Sequence, residues 1–200
     1  MNKNNKFFSL RNMVKIAILT AISAVIMLFE FPLPFAPGFY ELDLSEAVIL
    51  MGGFAMGPIA AVTIEFLKNV LNIFLNGTIT AYVGELANFV MGCALVVPAS
   101  LFYKYHKSLK GAIMSLIVGT ASLTVISCFV NYFIMIPAYV HLAHFPLDAI
   151  ISMGKEVNPL VGSLEGLIVF SVAPFNLVKG VICSIINLLL YKRISKVLHI

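Results

Sequence analysis

Residues 45–76 read SEAVILMGGFAMGPIAAVTIEFLKNVLNIFLN. Two apolar runs meet at Gly57-Pro58, a pair suited to stopping one helix and starting the next. The first run, 45–57, has an apolar centre of only Ala47–Met56. That is short for a bilayer core about 30 Å thick, which needs about 20 helical residues. It reads either as a short crossing or as a re-entrant segment that returns to its own side. The second run, 58–76, is long enough to cross, yet it carries Glu65, Lys68, Asn69 and Asn72. Lys68 falls about 15 Å along it, near mid-bilayer. A lysine there costs about 2.5–3.5 kcal/mol on insertion scales, so it is expected to face a cavity or a partner.

Outward from this stretch, further candidate spans lie at 13–31, 81–103, 111–137 and 164–191, which gives six. The positions of the basic residues favour six over five. With all six crossing and the N-terminus cytoplasmic, Lys3, Lys6, Arg11, Lys15, Lys104, Lys107, Lys110, Lys192, Arg193 and Lys196 share the inner side, ten of thirteen Lys and Arg. A re-entrant second segment would turn the Lys104–Lys110 loop outward and break the positive-inside rule. Both termini are then cytoplasmic, and Glu41, Asp43, Glu46, Glu85, Asp148, Glu156 and Glu165 fall towards the outer face. The chain is read as one all-α, multi-pass membrane domain over residues 1–200.

Composition agrees with that reading. Hydrophobic residues make up 60% and charged residues 11%, and the mean hydropathy is +1.01. A soluble domain carries about 25% charge, so soluble classes and nucleic-acid binding are excluded. Basic residues ahead of the apolar run Ile16–Phe29 imitate a secretory signal, but no small-x-small site follows, and the segment is expected to stay as the first span. Cys93, Cys128 and Cys183 are odd in number and widely spaced, and they read as small buried hydrophobes.

Two outer segments are long. Residues 32–44 are Pro-rich, aromatic and end in acids, which suggests a stiff, ordered loop between the first two helices. Residues 138–163 read as a lid or a plain connector. His141 and His144 lack the further ligands a metal site needs, so no metal is expected.

The polar residues inside the spans are the ones that point to function. Glu65, Lys68 and Asn72 share one helical face, although Glu65 and Lys68 also read as an intrahelical ion pair that neutralises itself. In PFNLVKG (174–180), Asn176 and Lys179 are i, i+3 neighbours, and Pro174 is expected to kink the helix. Asn88 and Asn131 lie in the outer halves of their spans. Each Asn alone also reads as interhelical glue. Together, Asn72, Asn88, Asn131, Asn176 and Lys179 come from four helices and fall between mid-bilayer and the outer face, the geometry of a pocket entered from outside. Ala17 and Ala21, with Ala24 continuing the strip, would let another membrane helix approach closely, or else pack internally. No P-loop and no catalytic triad, HExxH or carboxylate pair is present, so neither nucleotide hydrolysis by this chain nor enzyme chemistry is expected.

Taken in order, the motifs resemble the substrate-binding (S) components of energy-coupling factor (ECF) transporters, in particular the bacterial riboflavin-specific ones. They are the alanine strip of the first helix, FPLPF (31–35), LDLSE (42–46), the Gly57-Pro58 break, KNVLN (68–72), ANF (87–89), NYF (131–133), PFNLVKG (174–180) and LLLYKRI (188–194). The resemblance implies a six-helix protein that binds riboflavin or its phosphate as cargo, with no cofactor. It would join an ECF transmembrane coupling protein and two ATPase subunits in the cell membrane. It also implies ligand contacts around Leu42 and at Asn131, Asn176 and Lys179, and a coupling interface at the small residues of the first helix; Asn72 and Asn88 are added from geometry. Glu65 and the outer segment 141–165 depart from the family pattern.

The ligand chemistry is compatible with these residues. An isoalloxazine is a flat, mostly apolar tricycle whose pyrimidine edge alternates donors and acceptors. Asn amides match both, Lys donates to carbonyl oxygens or ring nitrogens, and Phe and Tyr supply stacking faces. Two other readings stay open: an S component for another vitamin, and a small proton-coupled secondary transporter that uses Glu65 and Lys68.

Overall fold

The computed structural model describes residues 9–78 and 80–198, with side chains described as far as Tyr191. Lys3, Lys6 and the side chains of Lys192, Arg193 and Lys196, which weigh in the orientation argument, lie outside the described residues. Helix α1 (Leu10–Met27) starts at Ser9, whose hydroxyl caps the Asn12 amide. Two two-residue strands follow, β1 (Phe31–Pro32) and β2 (Glu41–Leu42), paired antiparallel with Phe31 opposite Leu42 and Pro32 opposite Glu41. Next come α2 (Glu46–Met56), α3 (Pro58–Asn76), α4 (Val83–Tyr105) and α5 (Leu109–Val130). A π-helical turn (Asn131–Met135) joins α5 to α6 (Ile136–His141), which is followed by α7 (Leu147–Val157) and α8 (Leu164–Leu167). A second π-helical turn (Ile168–Val172) leads into α9 (Ala173–Leu198).

Among the described residues, five helical stretches are long and apolar enough to cross a membrane: Leu10–Met27, Pro58–Asn76, Val83–Tyr105, Leu109–His141 and Leu164–Tyr191. These make the chain an all-α, multi-pass membrane protein. The sixth candidate, α2, has only eleven residues, about half a bilayer core at 1.5 Å per residue. Nine of them, Glu46–Phe54, are buried, and α2 touches α1, α3, α4 and α9. It is therefore the centre of the bundle. Lipid tails are as apolar as leucine, so such packing depends on close approach rather than on water exclusion. Small residues allow it: a Cβ on Gly52 would sit 2.6 Å from Ile64, and Gly53 faces the Ser100 hydroxyl. Gly57 takes φ +96°, a left-handed value that glycine tolerates, and Pro58 opens α3. The expected break is there.

The boundaries differ from the sequence expectation where proline acts. The first helix stops at Met27 rather than 31, because Phe31 precedes Pro32, is biased towards extended backbone, and is held there by strand pairing. The predicted fifth span ends at 137, but the helix continues to His141. Pro137 has no N–H to donate, and the turn before it widens so that the Ile136 N–H reaches the Asn131 carbonyl, five residues back. The turn before Pro174 widens in the same way, with the Ala173 N–H on Ile168. Residues 138–163, read as a loop, hold the end of α6 and all of α7. Ile150 of α7 packs with Ile136, Val161, Leu167, Ile168 and Val172 in a second core that Tyr40 joins. The β-hairpin and the α6–α8 region therefore cap the same end of the bundle.

Candidate functional site

Two groups of polar side chains meet beneath the hairpin. The first is a charge cluster. Lys68 of α3 is fully buried, and its ammonium lies 3.1 Å from Asp43 Oδ2, 3.2 Å from Glu46 Oε1 and 2.9 Å from Glu65 Oε1. The sequence allowed a self-contained Glu65–Lys68 pair, but the structure adds two acids from the segment entering α2, and Glu46 is buried in the bundle. Lys179 of α9 joins through the same Glu46 Oε1 at 3.7 Å. These distances separate the two lysines. A lysine has three donors, and those of Lys68 are taken up by three carboxyls. The one ion contact of Lys179 lies beyond hydrogen-bonding distance, so its donors stay available.

Asp43, which sits between β2 and α2, also accepts from the Ser45 backbone N–H and hydroxyl, both at 2.7 Å. Burial alone would raise its pKa, but Lys68, Lys179 and the Ser45 bonds outweigh burial and hold it at about 2. Glu30, beyond the end of α1, shows the opposite outcome. Burial, then the charges of Glu41 and Asp43, push its pKa up to about 7 against the pull of the two lysines.

The second group is built from amides and rings. The hydroxyl of Tyr40, the residue just before β2, donates to Asn131 Oδ1 at 3.0 Å. Its ring lies 4.5 Å from that of Phe39 and 5.4 Å from that of Phe175, the neighbour of Asn176. Asn131 donates back to the Ser127 carbonyl and Asn176 to the Val172 carbonyl, each at 2.9 Å. Both amides are thus anchored by one N–H beside a widened turn. Leu42 is buried on β2, next to Asp43.

The structure links Asn131 to Phe175, the neighbour of Asn176, through Tyr40, and links Lys179 to Glu46 at the start of α2, with Leu42 buried on β2 between Tyr40 and Glu46 in the chain. It places Asn72 and Asn88 differently. Asn72 is buried and accepts from Asn76 within its own helix at 3.0 Å. Asn88 faces Met27 Sδ of α1 at 3.9 Å. Among the described residues, no hydrogen bond links either of them to the other four. On α1, Ala17 and Ala21 are exposed but Ala24 is only 2% exposed. The expected strip is corrected: Ala24 turns into the bundle, and the free face is bordered by Ile18, Ile22 and Val25. Sequence reasoning missed Tyr40, Asp43 and Glu46 as partners. The one available signal was that Asp43 and Glu46 lie within LDLSE, with Tyr40 two residues ahead of it, while the costly Lys68 called for acidic partners.

Fold and site together define a multi-pass helical membrane protein with a hairpin seated over a buried polar cluster. The comparisons identify its family. The family model "ECF transporter, substrate-specific component" matches residues 11–191, and the chain belongs to that family. It is 32% identical over 189 residues to the riboflavin transporter RibU of Staphylococcus aureus (strain TCH60), covering 94% of this chain and 92% of that one. It is 29% identical over 186 residues to the riboflavin transporter FmnP of Bacillus subtilis (strain 168), covering 92% of each. A solved structure described as the S component of a bacterial ECF transporter superposes with a TM-score of 0.71 at 30% identity, covering 93% of this chain and 96% of that one. These relatives are transporters, not enzymes.

Proposed function

We propose that this chain is a riboflavin-binding S component of the cell membrane. It captures the vitamin from outside and delivers it to an ECF coupling protein with two ATPase subunits. The chain crosses the membrane six times, with α2 as a short buried crossing and both termini cytoplasmic. Riboflavin is cargo and leaves unaltered, with no cofactor needed.

The observation that carries this reading is the Tyr40–Asn131 bond. It fastens the hairpin to α5 beside Phe175 and Asn176, and the ligand space we propose is bounded by Leu42, Asn131, Phe175, Asn176 and Lys179. The amides offer donors and acceptors to the pyrimidine edge of the flavin, Lys179 donates to its oxygens or ring nitrogens, and Tyr40 and Phe175 lie against the ring faces. Asn72 and Asn88 extend this site towards α3 and α4. Ala17 and Ala21 form the docking face for the coupling protein.

The test is a fluorescence-quenching titration of purified protein with riboflavin. Lys179→Ala and Asn131→Ala should each weaken binding by about 1–3 kcal/mol, because a buried group loses its partner. Unchanged affinity in both variants would refute the site. Failure of the folded protein to quench riboflavin at all would refute the ligand.

A further inference from the structure

The buried charge cluster does not balance. Three carboxyls, Asp43, Glu46 and Glu65, face two ammonium groups, Lys68 and Lys179, and all five side chains are buried. Fully ionised, the cluster would hold one uncompensated negative charge within the bundle, which is far costlier than a neutral group there. Hydrogen bonding shows which acids are committed to the charged form. Asp43 uses both oxygens, Oδ1 on the Ser45 N–H and Oδ2 on the Ser45 hydroxyl and Lys68. Glu46 and Glu65 each use one. Glu46 Oε1 accepts from Lys68, and Glu65 Oε1 from Lys68 and Asn69. Glu46 Oε2 and Glu65 Oε2 are buried with no donor.

Both glutamates reach the same ammonium, Glu46 Oε1 at 3.2 Å and Glu65 Oε1 at 2.9 Å from Lys68 Nζ, which holds the two carboxyls side by side. Two carboxylates are both acceptors, so a bond between them forms only when one of them carries a proton. Gly92 of α4 backs the Glu65 carboxyl so closely that a Cβ there would stand 2.5 Å from Oε1, and it brings no donor. The other titratable groups around the pair are Cys93 of α4 and Cys183 of α9, with Glu30 further out beyond α1. None adds a positive charge.

We propose that Glu46 and Glu65 share one proton, which makes the five-residue cluster a neutral unit and a proton-binding site inside the bundle. The proton completes the orphaned acceptors and weakens the hold of Glu46 on Lys179. The lysine that borders the proposed ligand space thereby keeps its donors for a ligand. The proton site depends only on this chain's own charge inventory, whichever solute is bound.

Infrared spectroscopy of the purified protein in detergent reads a protonated carboxyl directly, through a carbonyl stretch well separated from the carboxylate bands. Glu30→Gln serves as the background, so that Glu30 contributes nothing. The expected result at neutral pH is a carboxylic-acid band that shifts in deuterated buffer and is lost on adding Glu65→Gln. It should also be lost on adding Asp43→Asn, which balances two acids against two lysines with both glutamates still in place. No such band in the background protein, as when a buried water serves both oxygens, would overturn the proposal. So would a band that survives Glu65→Gln.

Discussion

Lys68→Met is the most demanding test of the architecture. It keeps the length and apolar stem of the side chain and removes only the ammonium, which sits 2.9–3.2 Å from three buried carboxyls. Only Lys179 is then left to face them, from 3.7 Å. Removing one partner of a buried ionic network costs about 3–5 kcal/mol, because the remaining charges are stranded. For a chain of this size each kcal/mol lowers Tm by about 2–4 °C, which gives a fall on the order of 10 °C. The protein has no Trp but three free cysteines, one of them buried, so a thiol-reactive dye in detergent follows its unfolding. Adding Asp43→Asn or Glu65→Gln to Lys68→Met removes a stranded acid and should restore part of the loss, a non-additivity expected of side chains in contact. A Tm within about 2 °C of the unsubstituted protein, scaled as above, would refute the view that Lys68 ties α3 to the start of α2.

Gly92→Ala puts a methyl group where the Glu65 carboxyl now sits. It should destabilise the protein by about 1–3 kcal/mol, measured by the same thermal assay, and less in a Glu65→Ala background. Bulky replacements at the exposed Ala17 and Ala21 should abolish riboflavin uptake by cells that supply the coupling module while leaving binding by the purified protein intact. Ala24→Phe, at a buried position, should instead lower Tm and impair both. Glu30 has its pKa raised to about 7 by burial and by Glu41 and Asp43, so the folded state favours its protonated form. Its contribution to stability is complete below the ordinary carboxylate range and is lost as pH rises towards about 7. Glu30→Gln should flatten the Tm–pH curve between about pH 4.5 and about pH 7, and a curve of unchanged slope would contradict the burial of this carboxyl.

The long helices were legible because twenty-odd apolar residues in a row leave little choice in a bilayer. The break at Gly57-Pro58 was equally plain, since one residue permits a positive φ and the next opens a helix. The cost of Lys68 announced a partner, but its identity was hidden. Asp43 and Glu46 stand 25 and 22 residues away, and only the path of the hairpin and α2 brings them back. Tyr40 was obscure for the same reason, because its bond to Asn131 spans 91 residues. The helix α7 could have been read: Leu147, Ile150, Ile151 and Gly154 recur at helical spacing, but the surrounding His, Pro and Gly residues suggested a loop. Ala24 was misjudged because small-residue spacing marks a face without saying which neighbour covers it.

The two widened turns have a consequence for how the molecule can vary. Each accommodates an added residue, and one residue re-phases a helix by about 100°. The cap made by α6, α7 and α8 is therefore indexed separately from the shanks that carry Asn131, Asn176 and Lys179. Insertions and drift in the cap leave the grip of the shanks in place. A one-residue deletion that regularised either turn would rotate every side chain beyond it onto the wrong neighbour.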